Sequence, residues 1–504
     1  MRSKSALKNI ITSIIQNLVI IICGFIVPKL IITNYGSNVN GLITSITQFL
    51  AYITLLESGI GPVIKARLYK PLANKDTKEI ENILYASNRF FRTISKIFII
   101  YVIVLCFIYP MLVNNEFDTV FSITLLLIIS FSTLSEYFFG LTYTLLLQAD
   151  QKTYVPAVFK ILTVFVNTIF IVVLIKLGAH IFLVKLISTL ILVIRPILIN
   201  LYVKKKYKLD LSRCDKNYKL ENKWDGLAQH IAAVVHNNTD IIVLTLFSTM
   251  TEVSVYSIYL LIISGIKNFV SSLTGGIDAT FGDMIAKNEH EQLNKSFRIY
   301  ETIYLTLIAI IFSCTMVLII PFIKIYTDDI TDANYVRPLF AFLIVLAECL
   351  HSIRLPYSST TLAAGHFKET MKGAWFEAIS NLLISIILVF KLGIVGVAIG
   401  TLFAMFVRTI EFNIHMSKEI LHVDYIKGLL KPMVIVLEVL LIYLLLNNVT
   451  LFRMYYYPEW LLYALIVFVI STIIILIINY LLFKRDFKDF KVLIKSLVKK
   501  KVIS

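Results

Sequence analysis

Apolar stretches long enough to cross a lipid bilayer recur along the whole chain, and no other property narrows its fold so far. Crossing a hydrocarbon layer of about 30 Å takes roughly 20 helical residues. Fourteen such segments are read at 10–32, 41–63, 93–113, 119–147, 156–176, 180–203, 228–248, 253–284, 300–322, 335–364, 371–390, 393–414, 431–447 and 459–483. With 58% hydrophobic and 16% charged residues and a mean hydropathy of +0.81, the chain has too little polar surface to cover its apolar side chains in water. Its solvent is lipid, and the short alternating strands of a membrane barrel are absent from the pattern. The expected fold class is an all-α polytopic membrane protein of about fourteen transmembrane helices. Its two longest segments, 253–284 and 335–364, are expected to be tilted or broken.

Charge supplies an orientation. The net charge of +16 would suggest nucleic acid in a soluble chain, but here Lys and Arg collect in one set of loops. The N-terminus and the loops after even-numbered segments hold most of the 48 basic residues, in particular the stretches from Lys65 to Lys96, from Lys204 to Lys223, and from Lys484 onward. The opposite loops hold few and carry acidic patches at Glu116/Asp118 and Asp328/Asp329/Asp332. Retention of positive loops inside accounts for this pattern, places both termini in the cytoplasm and removes nucleic acid as a partner. Cys23, Cys106, Cys214, Cys314 and Cys349 show neither metal-site spacing nor a disulfide framework. The first apolar run ends at Pro28 and Lys29 without a small-residue cleavage pattern, so it is read as a span.

The polar run from Lys204 to Gly226, KKKYKLDLSRCDKNYKLENKWDG, separates six apolar segments from eight. Across it the chain repeats. Leu146–Lys152, LLQADQK, aligns with Leu362–Lys368, LAAGHFK, at an offset of 216, which also brings Gly59 onto Gly275. Lys176-Leu177-Gly178 matches Lys391-Leu392-Gly393 at 215, and Arg195 and Asn200 match Arg408 and Asn413 at 213. Each copy holds an even number of spans, so both enter the membrane in the same direction, which implies a pseudo-two-fold axis along the membrane normal. The expected domains are an N-lobe of spans 1–6 at 1–203, a basic cytoplasmic hinge at 204–226 and a C-lobe of spans 7–12 at 227–418. Spans 13 and 14 follow at 419–483, then a basic tail at 484–504 whose Phe487, Phe490, Val492, Leu493 and Leu497 suit an amphipathic helix on the inner surface.

Two passages carry a family resemblance. Tyr35 to Leu72, YGSNVNGLITSITQFLAYITLLESGIGPVIKARLYKPL, and Asn237 to Tyr259, NNTDIIVLTLFSTMTEVSVYSIY, resemble the bacterial polysaccharide transporters. These are the lipid-linked oligosaccharide flippases of the multidrug/oligosaccharidyl-lipid/polysaccharide exporter superfamily. The resemblance implies a two-lobed transporter in the bacterial cell membrane that moves an undecaprenyl-diphosphate-linked repeat unit to the outer leaflet by alternating access. The implied partners are the polyprenyl-diphosphate-linked glycan, membrane lipid and other polysaccharide-assembly proteins. Fold alone does not assign function, so the residues are read separately.

Ionisable side chains inside a membrane cost on the order of 2.5–3.5 kcal/mol on insertion scales and mark cavities or partners. Glu348, His351 and Arg354, spaced by three, share one stripe of span 10. Glu348 lies roughly 15 Å beyond Pro338 along a helix. On the functional reading Arg354 attracts a diphosphate or acidic sugar, while Glu348 and His351 exchange protons or hold a coupling cation. The alternative is a self-neutralising stripe that only packs. Glu136 of span 4 occupies a position near the equivalent one. Asp240 is a further ion-coupling candidate, with an interhelical hydrogen-bond cluster as its alternative, and Glu57 is another. Lys267 is a substrate-phosphate candidate or the partner of a carboxylate. Arg195, Arg408 and Lys29 are substrate candidates that could equally be snorkelling cations at helix ends. Gly59 and Gly61, paired with Gly275 and Gly276, either bend spans 2 and 8 or allow close packing. No P-loop, zinc pattern or nucleophile motif is present in the sequence, so no cofactor, metal or enzyme activity is expected. A cation-coupled drug exporter of the same fold is the first rival reading. A membrane polymerase is the second, against which the short outer loops argue.

Overall fold

The structure, a computed structural model, describes residues 2–57, 60–113, 115–207, 209–210, 214–215, 218, 238–274, 277–447 and 455–503, with the backbone alone at 2–6, 272–274, 277–279 and 494–503. Gly59, Gly275, Gly276, His236, Asn237 and most of 204–226 lie outside the described residues. Every regular element among the described residues is helical. Contacts divide the chain into two compact units, Met1–Ile258 and Tyr259–Ser504.

The first unit contains α1 (Arg2–Tyr35), α2 (Ser37–Ala51), α3 (Thr54–Glu57), α4 (Ile60–Asn74), α5 (Thr77–Val113), α6 (Thr119–Ser135), α7 (Leu141–Ala149), α8 (Tyr154–Lys176) and α9 (Ile181–Tyr207). A π-helical turn, Glu136–Gly140, joins α6 to α7. The short α10 (Asn238–Phe247) follows, and then α11 (Met250–Thr274), within which the boundary between units falls. The second unit continues with α12 (Ile277–Ala286), α13 (His290–Tyr326), α14 (Pro338–Ala363), α15 (Met371–Leu392) and α16 (Ile394–His415), which runs on into a π turn at Met416–Ile420. Then come α17 (Tyr425–Leu446), α18 (Tyr457–Leu482) and α19 (Lys484–Ile503).

Thirteen helical segments among the described residues are long and apolar enough to span a membrane. In the remaining expected span, 228–248, residues 228–237 lie outside the description, and α10 lies in its described part. The segment 253–284 is divided between α11 and α12. By contrast 335–364 holds a single unbroken helix, Pro338–Ala363: residues 335–337 are loop, and Pro338 in the first turn fixes where the helix begins.

Helix lengths and neighbours repeat between the units. α5 and α13 each have 37 residues, about 55 Å at 1.5 Å per residue, so each outruns the hydrocarbon layer and carries its polar first turns into water. α5 packs on α6, α6 on α9 and α8 on α9; in the same order α13 packs on α14, α14 on α16 and α15 on α16. Between α15 and α16 the approach is close. A Cβ at Gly400 would lie 2.3 Å from Ser385 Oγ, and one at Gly396 2.5 Å from the Leu388 carbonyl carbon. Small residues four apart are what let membrane helices approach in this way.

The passage beginning at Tyr35 makes a tight junction. Gly36 takes φ 92°, a conformation L side chains rarely adopt, and turns α1 into α2. Tyr35 Oη donates to the Ala179 carbonyl at 2.5 Å, tying that corner to the α8–α9 loop. At Gly61 an added Cβ would meet Leu145 at 3.6 Å, an ordinary contact, so crowding is not what places glycine there.

Candidate functional site

The ionisable side chains that the membrane helices carry gather into separate clusters, each built within one unit. In the second unit α14, α15 and α16 bring together two arginines and two glutamates. Arg354 Nη1 donates to Glu377 Oε1 at 2.9 Å, and its Nη2 lies 2.9 Å from His351 Nδ1. A guanidinium has no acceptor, so His351 Nδ1 accepts and its ring proton sits on Nε2. The other Glu377 oxygen faces Arg408 Nε at 3.3 Å. Arg408 Nη1 donates to Glu411 at 2.6 Å and to the Thr370 carbonyl at 2.9 Å, and the guanidinium lies 4.2 Å from the centre of the Phe412 ring. Arg354, Glu377 and Arg408 are buried. Gly373 makes room for this cluster: a Cβ there would sit 1.8 Å from Glu411 Oε2. Charges balance, so the low dielectric is met by pairing.

Lys267 of α11 approaches Glu348 of α14 at 3.6 Å, an ionic contact too long for a hydrogen bond. The stripe read in sequence therefore splits, with Glu348 turned to α11 and Arg354 to α15. One further step of three along α14, Tyr357 donates to Glu301 at 2.5 Å. Glu301 also takes Lys431 at 2.8 Å, and Lys431 reaches Asp486 of α19 at 2.9 Å. Arg298 then meets Asp486 at 3.1 Å and Asp489 at 2.5 Å.

In the first unit the π turn carries Glu136 against Arg195 of α9 at 2.7 Å. Pro196 presses on the same turn, since a Cβ at Gly140 would lie 2.8 Å from it. The ion pair lines two cavities of about 310 Å³ each. One also holds Glu57, which is hydrogen-bonded with the Tyr137 hydroxyl. The other holds Lys160 of α8 and polar side chains of α1 and α7. Asp240 is buried in α10 and accepts from Tyr256 Oη at 2.6 Å, an interhelical hydrogen bond. Lys29 is half-buried in α1.

Of the residues singled out in sequence, Arg354, His351 and Arg408 thus meet in one cluster, Lys267 and Glu348 in another, and Glu136, Arg195 and Glu57 in a third. Sequence reading missed Glu377, Glu411 and Lys160. Each was an ionisable residue inside an apolar segment, which is the signal that should have drawn attention. Glu301 and Lys431, at span ends, and Asp486, in a basic tail, offered no comparable signal.

The sequence matches no protein-family model and no curated protein. Solved structures do match. A lipid II flippase, MurJ, in an inward closed conformation superposes with a TM-score of 0.69 at 17% identity, covering 94% of this chain and 99% of that one. An inward-facing multidrug resistance transporter of the MATE family and the MOP superfamily aligns at 0.57 and 14% identity over 83% of this chain and 95% of its own. A superfamily transporter from Pyrococcus furiosus, described as having a binding pocket of reversed polarity, aligns at 0.54 and 13% over 86% and 96%. The chain is therefore an all-α polytopic membrane protein with the fold shared by the lipid II flippase and the multidrug transporters of that superfamily.

Proposed function

We propose that the chain is a flippase, carrying undecaprenyl-diphosphate-linked oligosaccharide repeat units from the inner to the outer leaflet of the bacterial cell membrane for cell-surface polysaccharide assembly. The observation that carries this reading is the extent of the structural likeness. The lipid II flippase accounts for 94% of this chain at a TM-score of 0.69, against 83% and 0.57 for the multidrug transporter. A lipid-linked substrate is the better supported of the two classes. The Tyr35–Leu72 passage narrows it to polysaccharide precursors, with other assembly proteins as partners.

Coupling rests on a loose pair, half-buried Lys267 with buried Glu348. Lys267 and Glu348 attract each other across 3.6 Å without a hydrogen bond, so an incoming diphosphate that engages Lys267 releases Glu348. The freed carboxylate then takes a proton or a sodium ion, and substrate and ion exchange places at this α11–α14 pair during alternating access.

The test is transport of a lipid-linked repeat unit across reconstituted vesicles under imposed proton or sodium gradients. Wild type is expected to move it faster with one gradient than without, and Lys267→Ala to lower the rate at least tenfold while the protein stays folded. An unchanged Lys267→Ala rate removes that residue's role. Transport of a small organic cation with none of the lipid-linked unit replaces the flippase reading by the exporter.

A further inference from the structure

The Lys160 cavity of the first unit is built from helix faces that spell out its lining. Asn9, Ser13 and Gln16 recur at steps of four and three on α1, Thr144 and Gln148 at four on α7, and Lys160 follows Pro156 by four on α8. Asn9 serves as scaffold: its Nδ2 donates to the Gln151 carbonyl and its Oδ1 accepts from the Tyr154 N–H, both at 3.0 Å. The other polar side chains are different. Among the described residues, those of Ser13, Gln16, Gln148 and Lys160 make no hydrogen bond or ion pair, and Thr144 Oγ1 is buried without a partner. Thr144 Oγ1 is the buried one among them, and a buried polar atom left unmatched is rare. Gln16, Gln148 and Lys160 are half-buried and Ser13 is exposed, so their polar atoms are within reach of an entering ligand.

Charge narrows the ligand. Glu136 is engaged by Arg195 at 2.7 Å, so the Lys160 ammonium is the surplus, worth one positive charge. One surplus charge suits a monoanion better than a diphosphate. Two amides and two hydroxyls, each able to donate and to accept, suit sugar hydroxyls, which do both. A volume of about 310 Å³ lies at the small end of the range for small-molecule sites and suits a single ring.

We propose that this cavity binds an acidic sugar, a pyranose bearing a carboxylate, with the carboxylate on Lys160 and the hydroxyls on Gln16, Thr144, Gln148 and Ser13. The assignment rests on the flippase reading only for the source of the sugar, which would be the lipid-linked repeat unit.

The test is equilibrium binding to the purified full-length protein, with glucuronate, glucose and inorganic pyrophosphate as probes. Wild type is expected to bind glucuronate at least tenfold more tightly than glucose. Lys160→Met should erase that preference, Lys160→Arg should keep most of it, and Gln148→Leu should weaken both sugars several-fold. Equal affinity for the two sugars overturns the proposal, as does pyrophosphate displacing glucuronate more strongly than glucuronate displaces itself. If Lys160→Met fails to fold, the wild-type preference and the Gln148→Leu result still decide. A wild type that moves the lipid-linked unit without binding glucuronate refutes the sugar site and leaves the flippase. One that binds glucuronate with these preferences but moves no lipid-linked unit refutes the flippase and leaves the site.

Discussion

Arg354 and Arg408 hold the two oxygens of one carboxylate, and what each would leave behind differs. Removing Arg408 deprives Glu411 and the Thr370 carbonyl of their donor inside a region where Arg408 itself is only 3% exposed. Removing Arg354 leaves Glu377 still facing Arg408 at 3.3 Å. Arg408→Ala is therefore expected to destabilise the solubilised protein by about 3–5 kcal/mol, the cost of breaking a buried pair. Arg354→Ala should cost about 1.5–3 kcal/mol, the worth of hydrogen bonds to a charge. Denaturant unfolding of the two variants gives the order, and the reverse order would refute the shared carboxylate. The stripe of Glu348, His351 and Arg354 was legible in sequence because spacing on one helix is a local property. Glu377 is likewise visible as a charge in an apolar run, but its pairing with Arg354, 23 residues away on a different helix, was not legible there.

At the scale of elements, α19 reads in sequence as a basic amphipathic helix, yet its two acidic residues are what fasten it. Asp486 is 5% exposed and accepts from Thr302 at 2.7 Å besides its contacts with Arg298 and Lys431. Through Lys431, Glu301 and Tyr357 the same network reaches α14, the helix that carries Arg354. Asp486→Ala should release the start of α19 without unfolding the unit. Hydrogen exchange at 484–493 is expected to rise at least tenfold, equivalent to about 1.4 kcal/mol. Unchanged exchange there would show that the apolar side chains of α19, not Asp486, hold it. Val492 and Leu493 remain exposed, which fits a helix whose outer side meets lipid.

Over the whole molecule, the duplication seen in steady sequence offsets returns as a repeated order of helix neighbours in the two units. The basic loops then set how such a chain is threaded. Both termini are expected on the cytoplasmic side: a fluorescent protein fused to the C-terminus should fold and emit, and a periplasm-dependent phosphatase fused at the same place should be inactive. Active phosphatase would reverse the orientation. Exposed apolar side chains line nearly every span, as in Phe107, Met111 and Leu444, each more than 70% exposed. A lipid environment is what covers them.

Composition and periodicity by themselves determined that the chain is helical, membrane-spanning and duplicated, because hydrophobic length and steady offsets are properties of the chain read in order. They also singled out several ionisable residues within the spans, among them Glu348, Arg354 and Arg408, since a charge in an apolar run is visible without coordinates. Which charge meets which was decided only by tertiary structure. Pairing depends on helices distant in sequence coming within a few ångströms, and at that range a cation is either matched by a carboxylate, as Arg354 is by Glu377, or left as a surplus, as Lys160 is beside Glu136 and Arg195.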